Sequence, residues 1–199
     1  MPAGDKVCII GAGSSGIVAA QVLGARGLEY DLFEKGSQIG GNWRYENDNG
    51  MSSAYRSLHI NTSRRVMAYK TLPMPDHYPD YPDHFQMAAY FDEFADHFGL
   101  REKIRFNTEV LGAKPIEGGS GGWEVTVAGP EGEETNRYRA LLVANGHHWD
   151  PRWPEPAFPG AELFEGEQIH VHHYREADIL PGWKHTFNFH NQVDQPLIY

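Results

Sequence analysis

The stretch Lys6-Val7-Cys8-Ile9-Ile10-Gly11-Ala12-Gly13-Ser14-Ser15-Gly16 decides the fold of this chain. Its first five residues form a short and almost continuous apolar run, as expected of a strand buried on both faces of a sheet. The G-x-G-x-x-G pattern that follows favours a tight turn into a helix, and residues 17–26 carry that helix's apolar periodicity. Residues 28–34 alternate like a second strand. The order strand, glycine turn, helix, strand predicts a βαβ unit with parallel strands.

The glycine turn has the features that a pyrophosphate site requires. Gly11 permits the tight turn, Gly13 lets a pyrophosphate approach the backbone, and Gly16 lets the helix pack closely on the strand. The free N–H groups at the start of the helix then point at the phosphates. We therefore expect a dinucleotide to bind at Gly11, Ala12, Gly13, Ser14, Ser15 and Gly16.

Glu34 narrows the choice of dinucleotide. It stands at the end of the second predicted strand, where a carboxylate can accept hydrogen bonds from ribose hydroxyls. The same negative charge would repel a 2′-phosphate, so the sequence excludes NADP from this site and leaves FAD and NAD.

Residues 36–82 form a long stretch that is dense in Gly, Asn, Pro and Tyr and has little regular periodicity. A segment of this length in a compact domain is either disordered or functional, and its many aromatic residues argue against disorder. An amphipathic helix is predicted next over residues 84–98. Phe85 lies on its apolar face, Asp83 is its N-cap and Gly99 its end.

The second half of the chain predicts further strands. Residues 104–110 and 140–144 each have strand character, and residues 123–128 and 135–139 predict an antiparallel hairpin across a turn at 129–134. The fold class is therefore α/β, a Rossmann-like dinucleotide-binding domain with a parallel sheet and an inserted antiparallel hairpin or meander.

We expect three regions along the chain. Residues 1–150 form the dinucleotide-binding domain, residues 151–180 a connector, and residues 181–199 an irregular C-terminal tail. Four prolines between positions 151 and 159 mark the start of the connector.

The composition of the 199-residue chain excludes several classes of protein. A formal net charge of −10 argues against nucleic acid as a partner. No apolar run approaches the roughly 18 residues of a membrane span, and the N-terminus lacks the pattern of a signal peptide. The single cysteine, Cys8, cannot form an internal disulfide, which suits a cytoplasmic location and excludes a flavin disulfide reductase with its redox cysteine pair. We interpret Cys8 as a buried apolar residue.

Further motifs resemble those of the flavin-containing monooxygenases and the related Baeyer–Villiger enzymes. The motifs that carry the resemblance are G-G-N-W at 40–43, L-H-I-N-T-S-R at 58–64, L-P-M-P at 72–75, Y-P-x-Y at 78–81, V-A-N-G-H-H at 143–148 and F-x-G-x-x-x-H-x-x-x-Y at 164–174. The last of these, the fingerprint, marks this group among flavoproteins. The resemblance covers about residues 6–178, which is most of the chain, as the N-terminal portion of such an enzyme.

The resemblance implies an NADPH-dependent flavin monooxygenase. NADPH reduces FAD, O₂ forms a C4a-hydroperoxyflavin, and one oxygen atom passes to an amine or a sulfide, or to a ketone in the Baeyer–Villiger alternative. The partners are then a small-molecule substrate and O₂, and a homo-oligomer is left open. Beyond the glycine turn and Glu34, the resemblance assigns FAD binding to Gly41, Asn42, Trp43, Asn61, Thr62, Val110, Ala144 and Gly146.

Asn61 is the candidate catalytic residue, because it matches an asparagine that contacts the reactive edge of the flavin in this family. A side-chain amide donates a hydrogen bond there without adding a labile proton, and the alternative is an asparagine that only caps a loop. His170 and Tyr174 match fingerprint positions that couple domains and position cofactors. The histidines at 170, 172 and 173 lack the Cys or carboxylate partners of a metal site, so no metal is expected.

The sequence departs from the family in two places. Asn145 stands where the family's short Ala-Thr-Gly motif has threonine, a mild change because asparagine still forms hydrogen bonds. The second G-x-G-x-x-G, for NADPH, is not found, and residues 118–122 (G-G-S-G-G) precede a strand and indicate a hairpin linker. The alternative is therefore a truncated FAD-binding fragment. We expect this chain by itself not to oxidise NADPH at an enzymatic rate.

Overall fold

The computed structural model describes residues 4–118, 121–166, 168–177 and 196–198, and these contain nine strands and three α-helices. The strands are Val7–Ile10 (β1), Tyr30–Phe33 (β2), Ile104–Arg105 (β3), Glu109–Pro115 (β4), Trp123–Gly129 (β5), Gly132–Tyr138 (β6), Ala140–Val143 (β7), Gln168–His170 (β8) and Pro196–Ile198 (β9). The helices are Ser14–Ala25 (α1), Arg64–Met67 (α2) and His84–His97 (α3).

A four-stranded parallel sheet forms the centre of the fold. Its order is β3-β2-β1-β7, and Val7 in β1 lies opposite Tyr30 on one side and Ala140 on the other. The continuous apolar run is explained by burial on both faces. Ile9 packs with Ile17 of α1 in one core cluster, whereas Cys8 packs in a second cluster against the antiparallel sheet. The predicted α/β class with parallel and antiparallel sheets is confirmed.

The antiparallel sheet is a meander in the order β4-β5-β6. Its β5–β6 turn is tighter than the predicted 129–134, because Gly132 adopts a φ of +106° and pairs with Gly129. The predicted strand at 104–110 is wrong as a single element, since it divides into β3 of the parallel sheet and β4 of the meander. Asn107, with a φ of +52°, breaks the strand, and the N–H of Thr108 donates to the Glu34 carbonyl at 2.9 Å.

Helix α3 begins at His84, directly after the predicted N-cap residue Asp83. The Asp83 side chain accepts from the Gln86 N–H at 2.8 Å while the Gln86 side chain accepts from the Asp83 N–H, forming a capping box. Phe91 and Ala95 face the core as expected. Phe85 does not, because its side chain is 59% exposed and contacts the ring of Tyr45 outside the core.

The connector contains little regular structure. A turn at Ala161–Leu163 precedes β8, which pairs with β9, so Pro196–Ile198 departs from the irregular tail that we expected. Residues 178–195 and 199 lie outside the described residues. Strand β8 ends at His170, because Val171–His173 forms a 3₁₀ turn capped by the His170 side chain. The division into three regions stays a prediction.

Candidate functional site

The glycine turn between β1 and α1 is shaped by two close approaches of backbone. Gly11 has a φ of +93°, and a Cβ there would lie 2.6 Å from the carbonyl oxygen of Ala144. A Cβ on Gly16 would lie 1.8 Å from the carbonyl oxygen of Gly11. Neither position has room for a side chain, so these two glycines are required for α1 to pack on the sheet and for β7 to run beside the turn.

Gly13 differs from both. Its φ of −73° and ψ of −173° suit any residue, and the nearest atom to a Cβ built there is the Gly41 Cα at 3.9 Å. None of the described residues therefore requires a glycine here. The backbone of Gly13 borders a space that a side chain would fill, at the N-terminus of a 12-residue helix.

The first turn of α1 supplies the electrostatics of this space. Gly13 is the N-cap, and no side chain of the described residues caps the helix, so its N–H groups are available to a ligand. The helix dipole adds a partial positive charge at the same place. The Tyr69 hydroxyl donates to the Ser14 carbonyl at 2.5 Å, and burial raises the Tyr69 pKa, which keeps the phenol protonated as a donor. No sequence pattern indicated this role for Tyr69.

Glu34 directly follows β2, at the predicted end of the second strand. Its carboxylate lies beside the glycine turn and holds that turn in place. The residue is 7% exposed. One carboxylate oxygen accepts from the Ala12 N–H at 2.8 Å, and the other accepts from the Gly36 N–H at 2.8 Å. Each oxygen has a second lone pair, so ribose hydroxyls can be bound in addition. The bond to Ala12 was not foreseen, because the two residues meet only through the β1–β2 pairing.

The segment Gly40-Gly41-Asn42-Trp43 packs directly against the glycine turn. The Gly40 N–H donates to the Ala12 carbonyl at 3.1 Å, and a Cβ on Gly41 would lie 3.3 Å from the Gly13 Cα. Trp43 is partly buried against the first core cluster. The structure therefore brings the two glycine-rich segments of the sequence together.

The Asn42 side chain has a different task from its neighbours. Its Oδ1 accepts from the backbone N–H of Ser53 at 2.8 Å and from the Ser53 hydroxyl at 2.9 Å. The Asn42 carbonyl accepts from the Ser52 hydroxyl at 2.8 Å. Asn42 thus ties the 40–43 segment to the loop at 52–54, and its side-chain oxygen is engaged within the protein.

Arg44 holds the same segment from the other side. Its Nε donates to the Ile39 carbonyl at 2.6 Å, and its guanidinium pairs with Asp92 of α3. Asp92 also pairs with Arg101 at 3.0 Å. Sequence patterns did not identify this network, because its members are far apart along the chain and each has the charge of an ordinary surface residue.

The remaining predicted residues lie around this centre to different degrees. Ala144 borders Gly11, and Val110 in β4 follows Glu109, whose carboxylate pairs with Lys35 directly after Glu34. Gly146 has a φ of +72° in the link after β7. Asn61 and Thr62 are exposed, and among the described residues no hydrogen bond joins them to the glycine turn. Their segment is fixed on both sides, by Ile60 N–H to the Pro82 carbonyl at 3.0 Å and by Arg64 N–H to the Asp80 carbonyl at 2.8 Å.

His170 of the fingerprint and the neighbouring His172 form hydrogen bonds with backbone groups. The Nδ1 of His170 accepts from the His172 N–H at 3.1 Å, and the Nδ1 of His172 lies 2.8 Å from the His148 carbonyl, in the link after β7. Both histidines and Tyr174 are buried. Within the described ranges, no group of three or more His, Cys, Asp or Glu side chains is arranged to hold a metal ion.

The single cysteine of the chain lies in the core. Cys8 is fully buried. Burial raises the pKa of its thiol to about 12, with a smaller contribution from the negative charge of nearby Asp31, so it is not a reactive thiolate.

In the part of the chain that the structure describes, no helix has the length and apolar character needed to cross a bilayer.

Comparison with known proteins identifies relatives of this chain. The family model described as flavin-binding monooxygenase-like matches residues 4–186. Flavin-containing monooxygenase 5 of Oryctolagus cuniculus is 37% identical over 184 residues, which is 90% of this chain and 34% of that protein. Dimethylaniline monooxygenase (N-oxide-forming) 2 of Macaca mulatta is 35% identical over 89% of this chain and 34% of that protein. The chain thus spans about a third of the length of these curated relatives.

Solved structures show the same likeness. S-allyl-L-cysteine S-oxygenase from Allium sativum aligns with a TM-score of 0.75 and 32% identity over 87% of this chain and 43% of its own. The OTEMO complex with FAD and NADP aligns with a TM-score of 0.66 and 26% identity over 86% and 31%. Cyclohexanone monooxygenase bound to epsilon-caprolactone aligns with a TM-score of 0.65 and 27% identity over 86% and 32%.

Proposed function

The chain belongs to the flavin-binding monooxygenase-like family, and we propose that it binds FAD with the pyrophosphate over Gly13 and the ribose of its adenosine half at Glu34. The observation that carries the proposal is the space beside Gly13. Neither the backbone conformation at position 13 nor its packing against the described residues requires a glycine. Gly13 nevertheless stands at the N-terminus of α1, where an anion is stabilised.

The surrounding residues fit this cofactor. Glu34 brings a carboxylate that can accept from ribose hydroxyls and would repel the 2′-phosphate of NADP. Gly41 lets its segment approach the turn closely, and Trp43 offers an aromatic surface beside it. Thr62, Val110, Ala144 and Gly146 complete the proposed FAD contacts. Ala144 lies beside Gly11 of the turn, and Val110 packs against the core cluster that contains Phe33 of β2.

Within the whole protein, the proposed reaction is NADPH-dependent oxygenation of a small molecule with O₂. Bound FAD would supply the redox chemistry, taking electrons from NADPH and passing one oxygen atom to the substrate. We assign Asn61 as the residue that donates a hydrogen bond to the reactive edge of the flavin. Its exposed amide, in a segment fixed at both ends, is available for that bond.

We favour an amine or a sulfide as the substrate class. The relatives that share 35–37% identity include an N-oxide-forming enzyme, and the structure with the TM-score of 0.75 is an S-oxygenase. Oxygenation of a ketone is the second candidate, since the chain also resembles cyclohexanone monooxygenase, at 27% identity. In the whole protein, consumption of NADPH above the rate with free FAD, stimulated by a tertiary amine or thioether but not by a cyclic ketone, would favour the first class.

The binding proposal is tested directly on this chain. The purified protein is mixed with FAD, freed of excess cofactor by gel filtration, and examined for a visible flavin spectrum. Retained flavin in a one-to-one ratio is expected, with no retention of FMN or NAD. A folded protein that retains no FAD would overturn the proposal.

A further inference from the structure

Arg175, the residue after the fingerprint tyrosine, joins two distant segments through its guanidinium group. One terminal nitrogen, Nη1, donates to the His172 carbonyl at 2.7 Å and to the Tyr174 carbonyl at 3.2 Å. The other, Nη2, donates to the Ser52 carbonyl at 2.9 Å. The planar guanidinium fixes the angle between these bonds, which a lysine ammonium cannot do. The end of the fingerprint is therefore held on the loop at Ser52.

Ser52 continues the connection to the proposed cofactor site. It is 3% exposed, and its hydroxyl donates to the carbonyl of Asn42. The side chain of Asn42 in turn accepts from the backbone N–H of Ser53, the residue that follows Ser52. Gly40, at the start of the same turn, donates to the Ala12 carbonyl in the glycine turn. A continuous series of bonded segments thus runs from Arg175 to the residues that border the proposed pyrophosphate position.

We propose that Arg175 is a positioning residue for the cofactor site, which holds the 40–43 segment against the glycine turn through Ser52 and Asn42. The inference rests on the proposed FAD binding for its functional meaning, but the mechanical connection is a property of the protein alone. Removal of the guanidinium leaves the largely buried Ser52 carbonyl without its donor. The loop at 52–54, and with it Asn42, is then free to move.

Arg56 provides a matched control in the same part of the molecule. Its side chain is 70% exposed and pairs with Glu176 at 2.9 Å, next to Arg175 in sequence. Its backbone N–H, which donates to the Arg175 carbonyl at 2.7 Å, is unaffected by side-chain replacement. Arg56→Met therefore removes an arginine and its bond to Glu176 in the same short segment, and it leaves the Arg175 bond to the Ser52 carbonyl in place.

The first experiment measures hydrogen exchange of the amides at 40–54 in the protein without FAD. Arg175→Met is expected to accelerate exchange of the Gly40 and Ser53 amides by about tenfold. This is the effect expected from losing the charge-assisted bond to the Ser52 carbonyl, which connects Arg175 to the 40–43 segment. Arg175→Lys should give a smaller acceleration, and Arg56→Met none. The proposal is overturned if Arg175→Met and Arg56→Met behave alike, or if faster exchange is confined to residues 172–176.

The second experiment measures FAD affinity in a double-mutant cycle. Arg175→Met is expected to weaken binding by about tenfold, and Asn42→Ala by a similar factor. Because both act through the same connection, the double variant should bind only about twofold more weakly than either single variant. Fully additive losses would show that Arg175 does not act through Asn42. If the wild type binds no FAD, the proposed function fails while the exchange experiment still decides the role of Arg175.

Discussion

The β1–α1–β2 unit and the loop at 36–82 lie side by side in this molecule, yet they are held by different kinds of interaction. In the unit, Ile9, Ile17 and Leu32 are fully buried, and the strands are joined by regular backbone hydrogen bonds. In the loop, short helical turns are joined by single side-chain bonds, such as those of Asn42 and Arg44.

This difference indicates which region determines the fold and which one shapes the site. Interactions in the unit are many and mutually supporting, so a steric conflict there affects the whole domain. Interactions in the loop are largely single hydrogen bonds, so losing one should move a short segment with little cost in global stability. Four substitutions, in the unit or at residues that contact the loop, test how each contributes to folding and to binding, in decreasing order of expected effect.

Gly16→Ala should produce the largest effect, on folding itself. The added Cβ would lie 1.8 Å from the Gly11 carbonyl oxygen, and backbone atoms on both sides would have to separate. We expect a loss of about 3 kcal/mol or more in the free energy of unfolding, measured by urea denaturation. Gly24→Ala in the same helix is the control, since its Cβ would meet only a Tyr30 ring carbon at 3.8 Å. It should be neutral or stabilising by up to about 1 kcal/mol, and equal losses for both would refute the steric argument.

Gly13→Val should separate ligand binding from folding. The backbone conformation suits valine and the nearest atom to its Cβ is 3.9 Å away, so unfolding should change by no more than about 1 kcal/mol. The side chain fills the proposed pyrophosphate position, and we expect FAD affinity to fall by at least about a hundredfold, or ~2.7 kcal/mol. Isothermal titration measures this. Equal affinities for wild type and variant would show that the phosphates bind elsewhere.

Glu34→Ala should affect both properties moderately, because Glu34 joins the two regions. The Ala12 and Gly36 N–H groups lose their acceptors, which costs about 1–3 kcal/mol of stability. The lost interaction with ribose should weaken FAD binding by roughly 1.5–3 kcal/mol, less than Gly13→Val. Thermal midpoints and FAD titrations measure the two effects. Glu29→Ala, an exposed carboxylate just before β2, is the control and should change neither.

His84 should give the smallest effect, and one that depends on pH. Burial lowers its pKa below the ordinary 6.5, despite the opposing Arg56 carbonyl and Asp83. The unfolded chain then binds more protons, so the contribution to stability is complete above pH 6.5 and is lost as pH falls below it. The thermal midpoint should decrease from pH 7.5 to 5.5, and less so in His84→Gln, which can still donate to the Arg56 carbonyl. An unchanged slope in His84→Gln, or an equal change in His97→Gln at the exposed helix end, would contradict the assignment.

The same division explains what could be predicted from the sequence. The parallel unit, the position of Glu34 and the Asp83 cap all follow from local patterns, because each is determined by residues within a few turns of one another. The family was also identified from ordered short motifs, and its model matches residues 4–186. The break at Asn107 and the exposure of Phe85 were missed, since tertiary contacts rather than periodicity decide them. Arg44, Tyr69 and Arg175 were missed because their partners are distant in sequence, and nothing in the residue types marks the pairing. The cytoplasmic location stays a prediction.

The carboxylate of Glu34 has a kinetic consequence as well as an energetic one. Since it accepts from the amides of Ala12 and Gly36, the shape of the turn is held by hydrogen bonds within the protein. Association then requires no slow rearrangement of this part of the site, and little of the binding energy is spent on ordering it. In stopped-flow mixing, the observed rate of flavin capture should rise in proportion to FAD concentration without reaching a plateau.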